Sequence, residues 1–133
     1  MKALVVIFLL CFSVVGWSST SSLTEQEELC LRDSISSYAQ EFIGIPYLWG
    51  GTSTKGFDCT GFVYYVFKKF GIKVSRASSG YENKGEKVEM ENSKPGDIIL
   101  FTGTDASVRK VGHAGIVLKN ENGLIVFIHS LSS

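Results

Sequence analysis

The chain has no excess charge of either sign. Its 13 Lys and Arg balance 13 Asp and Glu, and no basic block or stripe interrupts the mixture, so the electrostatic footprint of a nucleic-acid binder is missing. Its 3 cysteines, Cys11, Cys30 and Cys59, have no CxxC spacing and give no zinc-knuckle pattern. Histidine is confined to His113 and His129. There is no internal repeat, and no low-complexity tract beyond the serines near residue 20. The glycine-rich stretch 51–56 does not match the phosphate-cradle pattern GxxxxGK(S/T) and follows no strand. Apolar runs are short as well: Ala3 to Val15, broken by Ser13, falls below the roughly 20 residues that a membrane-spanning helix needs. Against these absences stand 44% hydrophobic and 12% aromatic residues in 133, which argue for a folded chain. That length builds one domain with a real core and has no room for a second.

Residues 1–17 read as a targeting signal. Lys2 is a short positive start, the apolar run follows, and small residues stand at Gly16, Ser18 and Ser19, with cleavage expected after Gly16 or Ser18. Cys11 raises a lipoprotein alternative, in which the protein meets the membrane only through that lipid, but Leu10 before it is bulkier than such sites take. Export to the periplasm, the cell wall or the medium is the expectation. Residues 18–23 form a serine-rich spacer and 24–133 the domain. Cys30 and Cys59 remain after cleavage and could pair as a disulfide in an oxidising compartment.

The domain is organised around Pro46 to Gly71. A glycine-rich loop runs into Asp58-Cys59, and apolar residues then recur at Phe62, Val63, Val66, Phe67 and Phe70, one face of a helix. Lys68, Lys69 and Gly71 are stop signals. Asp58 is a good N-cap, which puts Cys59 in the first turn, where unpaired N–H groups and the helix dipole favour a thiolate and an oxyanion beside it. The bland alternative is that a free cysteine on an apolar helix face is a small core residue. Its place at a helix start, its aspartate neighbour and the two histidines favour a nucleophile instead.

Elsewhere, Thr24 and Glu27 form a capping box, and Leu31, Ile35, Tyr38, Ala39 and Phe42 predict an amphipathic helix over 24–43, with Cys30 as a packing residue beside the stripe. Tyr47 and Trp49 are either loop anchors on the core or substrate contacts. Residues 72–91 read as polar and irregular, 94–97 as a turn, and 98–101, 113–118 and 124–129 as strands. Asn122-Gly123 is a hairpin signal. His113 and His129 sit at neighbouring ends of that hairpin, an even number of residues apart. A two-residue turn alone puts them on opposite faces, so a shared site predicts an odd-length loop or a bulge. One histidine would take the thiol proton and the other would orient it. A Cys-His-His zinc site is the chemical rival and lacks a fourth ligand of matching quality.

Several short motifs stand in one order: Pro46-Tyr47-Leu48-Trp49-Gly50-Gly51, Phe57-Asp58-Cys59-Thr60-Gly61-Phe62-Val63, Arg76-Ala77-Ser78, Lys94-Pro95-Gly96-Asp97-Ile98, His113-Ala114-Gly115-Ile116 and Ile128-His129-Ser130. From Ile35 to the end the sequence thereby resembles the NlpC/P60 family of cell-wall cysteine peptidases. The resemblance implies a papain-like α+β domain, with the nucleophile helix packed on an antiparallel sheet. It also implies hydrolysis of peptidoglycan stem peptides, usually between D-γ-glutamate and a diamino acid, through a thioester. By motif, Cys59 is the nucleophile, His113 the base and later acid, and His129 the orienting residue. Tyr47, Asp58, Thr60, Arg76 and Ser78 match positions near substrate, Asp58 matching one that in some members meets the free amine of an N-terminal L-Ala. No metal or cofactor is implied, and the partner is a stem peptide or muropeptide.

The chain departs from the family at Thr60, usually serine, at Ala77, acidic in some members, and at Tyr81, often glutamine. It also stops soon after His129, where family domains usually continue with further strand, so a truncated domain is expected. Two alternatives remain: a catalytically inactive wall-binding domain, and an amidase or acyltransferase using the same Cys-His site.

Overall fold

The computed structural model describes residues 3–7, 24–103, 107 and 110–132. In chain order the elements are strand β1 (Ala3–Ile7), helix α1 (Glu25–Gln40), strands β2 (Thr52–Ser53) and β3 (Gly56–Phe57), and helix α2 (Cys59–Lys68). Strands β4 (Glu86–Val88), β5 (Ile98–Thr102), β6 (Val111–Glu121) and β7 (Leu124–Ile128) follow, with 3-10 turns at Ser78–Tyr81 and Met90–Asn92. Five strands make one antiparallel sheet in the order β4-β1-β5-β6-β7, and β2 pairs with β3. The fold class is α+β with the cysteine helix α2 packed on the antiparallel sheet, as expected, and α1 packs on the same face beside it.

Helix α1 starts where the sequence places it. The Thr24 side chain accepts the Glu27 N–H at 3.3 Å and the Glu27 carboxylate accepts the Thr24 N–H at 2.8 Å. It ends at Gln40 rather than at Ile43, because Phe42 and Ile43 donate to carbonyls three residues back and tighten the last turn before Gly44 at φ +95°. Its inner face, with Ile35 and Ala39 buried, meets α2 through Phe62, Val63, Val66 and Phe67 and the sheet through Ile98, Leu100, Ala114 and Ile116. Cys30, expected as a packing residue, is exposed, and both it and Cys59 are free thiols.

The expected irregular stretch 72–91 holds more structure than its polarity implies. Tyr81 is fully buried and donates its hydroxyl to the Ser75 carbonyl at 2.7 Å, and Glu86–Val88 pairs with β1. The interior of the glycine loop folds as the β2–β3 pair. Its Gly51 presses on α2 so closely that a methyl group on Gly61 would run into the Gly51 carbonyl. The loop glycines therefore serve an approach between chain segments.

Strand β1 lies within the stretch expected to be a signal. Its backbone pairs with β5 from Ala3↔Phe101 to Val6↔Ile98 and with β4 from Val5↔Val88 to Ile7↔Glu86. A leader is defined by its removal, whereas this pairing describes what those residues do while attached. Cys11, the expected cleavage region and the serine spacer lie outside the described residues.

Candidate active site

Asp58 is the N-cap of α2. Its backbone is extended, and its Oδ1 accepts the Gly61 N–H at 2.7 Å, so Cys59 is the first helical residue. Asp58 Oδ2 accepts the Gly50 N–H at 3.0 Å and Arg76 Nη2 at 2.7 Å. Burial acts to raise the Asp58 pKa, but the Arg76 guanidinium and the Gly61 and Gly50 N–H groups outweigh it and hold the carboxyl below its usual range. Cys59 itself is half-buried.

The histidines come together through a feature of the β6–β7 hairpin. The turn has two residues, Asn122 at φ 52° and Gly123 at φ 84°, the paired left-handed conformations that a tight hairpin turn needs. With that turn alone the two imidazoles would face opposite ways. The register shifts between Val117 and Lys119, so one extra residue enters β6 and flips the parity of everything beyond it. His113 Nε2 then lies 2.7 Å from His129 Nδ1, with the rings edge to face at 5.0 Å. Phe101 and Phe127 lie beside them, at 5.8 Å from His113 and 5.2 Å from His129. Burial lowers both histidine pKa values, and at His113 the neighbouring His129 charge lowers it further.

Cys59 and His113 line one cleft of about 330 Å³ together with Tyr47, Trp49, Asp58, Thr60 and Ser78. His129 instead lines a smaller cavity of about 180 Å³ on its other side, with Phe42, Phe57 and Ile128. Arg76 stands behind the cleft wall. Its Nη1 donates to the Thr60 hydroxyl at 2.6 Å, and that hydroxyl donates to the Arg76 carbonyl at 2.7 Å. Thr60 is buried, so its hydroxyl ties the 72–77 segment to the start of α2. Tyr47 Oη is kept protonated by desolvation and by the neighbouring Cys59 and Asp58 charges, which raise its pKa. Among the described residues no group of three His, Cys, Asp or Glu could hold a metal ion.

Three residues here escaped the sequence reading. Gly115 opposes His129: a Cβ on it would stand 3.2 Å from His129 Cβ and 2.8 Å from the Ile128 carbonyl. A glycine inside a strand two residues past His113 was its signal. Ser130 donates to the Phe57 carbonyl at 2.7 Å, tying the end of β7 to the strand before α2. Glu82 accepts the Val111 N–H at 3.0 Å and fixes the start of β6.

Fold and site together define an α+β domain with a helix-start cysteine and a histidine pair on the sheet. Residues 44–133 match the profile of the NlpC/P60 family, and the chain belongs to that family. It is 35% identical over 98 residues to the gamma-D-glutamyl-L-lysine dipeptidyl-peptidase of Bacillus cereus, covering 74% of this chain and 28% of that protein. It is 44% identical over 80 residues to the gamma-DL-glutamyl hydrolase of Bacillus subtilis, covering 59% of this chain and 19% of that protein. The NlpC/p60 domain of the peptidoglycan hydrolase SagA superposes with a TM-score of 0.56 at 28% identity, over 74% of this chain and 88% of that one. The chain thus spans less than a third of the length of those two curated relatives.

Proposed function

We propose that this domain is an exported cysteine endopeptidase that hydrolyses peptidoglycan stem peptides at the amide between D-γ-glutamate and the following diamino acid. The observation that carries the reading is the 2.7 Å His113–His129 contact, on a histidine that shares its cleft with a helix-start thiol. With its Nε2 engaged by His129, His113 has Nδ1 left for the thiol. His129 accepts through Nδ1 and so carries its own proton on Nε2. Lowered pKa values keep the pair uncharged near neutral pH, ready to take a proton.

The chemistry follows from these positions. Cys59 Sγ attacks the γ-glutamyl carbonyl carbon as its proton passes to His113 Nδ1. The oxyanion meets first-turn N–H groups of α2, which have no partner within the helix, and the Tyr47 hydroxyl, which remains a donor. Collapse expels the amine, which takes the proton from His113 and leaves a thioester on Cys59. Water, deprotonated by His113, attacks that thioester, releasing a carboxylate and restoring the thiol. The two relatives named for γ-glutamyl substrates support this bond class, and the Lys2-led apolar run supports export.

Incubation with purified muropeptides under reducing conditions, followed by mass spectrometry, tests the reading. Fragments ending in a free D-glutamate with the diamino acid released at its amine are expected. Cleavage at another bond, or none, contradicts it.

A further inference from the structure

The pairing of β7 with β6 closes at Ile116↔Ile128, one residue before His129. The ladder thus ends short of the imidazole that the hairpin presents, and the backbone carrying His129 needs another fixed point. One edge of the ring is held, where Nδ1 meets His113 Nε2 at 2.7 Å. Its other side faces the cavity of about 180 Å³, which leaves the ring room to swing back. The fixed point is Ser130, whose hydroxyl donates to the Phe57 carbonyl at 2.7 Å. Ser130 lines both that cavity and the cleft holding Cys59, so it stands between them.

The acceptor is a rigid one. Phe57 is 1% exposed, and its ring packs edge to face on Phe42 and Phe62. Its carbonyl also accepts the Leu48 N–H at 2.9 Å. A carbonyl oxygen has two lone pairs, one for each of these donors. One atom therefore joins three segments of the site: Leu48 follows Tyr47, Ser130 follows His129, and Phe57 leads through Asp58 into Cys59.

Resting on the endopeptidase reading above, we infer that Ser130 is a positioning residue for the reaction: its hydroxyl, anchored on the Phe57 carbonyl, holds His129 where it orients His113 toward the Cys59 thiol. Without that bond the end of β7 relaxes toward the cavity, and His129 Nδ1 withdraws from His113 Nε2. The Phe57 carbonyl keeps the Leu48 N–H and the Asp58 N–H keeps the Gly51 carbonyl, so β3 and the start of α2 stay in place.

Ser130→Ala and Ser130→Thr provide the test, since threonine restores the hydroxyl. Ser130→Ala should lower kcat on a γ-D-glutamyl peptide by about tenfold with KM changed by less than about twofold. It should also slow the alkylation of Cys59 by iodoacetamide at neutral pH by about tenfold, because a displaced His113 takes the thiol proton less readily. Alkylation is read on the Cys59 peptide by mass spectrometry, which keeps the exposed Cys30 thiol out of the measurement. Ser130→Thr should recover most of both losses. A tie that served the fold alone would lower the urea midpoint and leave both rates of the folded protein unchanged. That result overturns the inference, as does an effect confined to KM, or a threonine variant as slow as the alanine one. If the native chain cuts no peptide, the endopeptidase reading falls, and the alkylation rates still decide the role of Ser130.

Discussion

Single atoms decide how well this site is set. Gly115 lies under His129, and the Cβ of Gly115→Ala would stand 2.8 Å from the Ile128 carbonyl and 3.2 Å from His129 Cβ, so the substitution should push β7 away from β6 and the imidazole off its 2.7 Å contact. Misplacement on that scale should lower kcat by about 10–100-fold, and the displaced strand should lower the melting temperature as well, checked by peptide turnover and calorimetry. The same histidines shape stability against pH. Their folded-state pKa values lie below the unfolded value of 6.5, so the unfolded chain binds more protons as pH falls. Their contribution is complete above pH 6.5 and is lost as pH drops through the folded values. Urea midpoints should fall from pH 7.5 to pH 5, and less so in His129→Gln. The sequence made Asp58 and Cys59 legible because a cap and an apolar stripe are local patterns. It hid Tyr81 and Gly115, whose roles come from what surrounds them: Tyr81 reads as a polar-loop residue until Ser75 and the core close over it.

Among elements, the hairpin shows the limit of pattern reading. Turn type was legible from Asn122-Gly123, and the even spacing of the histidines required an odd loop or a bulge. The structure takes the bulge, between Val117 and Lys119, and no residue type there marks it in advance. The three-residue-or-shorter strands β2, β3 and β4 were missed because so few residues carry no periodicity. Helix α1 is held to the sheet by an ion pair absent from any local pattern: Arg32 reaches the buried Asp97 at the mouth of β5, and Asp97 also accepts the Lys94 N–H at 2.8 Å. Gly96, at φ +82°, brings its backbone against Arg32. Arg32→Ala leaves a buried carboxylate without its cation and should cost about 3–5 kcal/mol, read from the shift of the urea midpoint. Asp97→Asn in the same background should recover part of that loss.

At the scale of the molecule, the α+β domain and its family were readable because several motifs held their order, whereas the sheet's full width was not. Residues 3–7 read as leader and pair as strand, covering the edge of β5, whose Ile98, Ile99 and Leu100 are all 1% exposed. Opening that edge removes backbone pairing and exposes a template for association. A chain beginning at Ser18 should therefore unfold at lower urea than the full chain and self-associate more by sedimentation, and equal behaviour would show that β1 contributes nothing. The chemistry as a whole turns on one sulfur at the start of α2. Its most direct test is the rate of γ-D-glutamyl peptide cleavage by Cys59→Ala beside the native chain, with both shown by circular dichroism to be folded. Loss of at least about 10⁴-fold in rate is the predicted result. Turnover by the alanine variant within tenfold of the native rate would contradict a thiol mechanism.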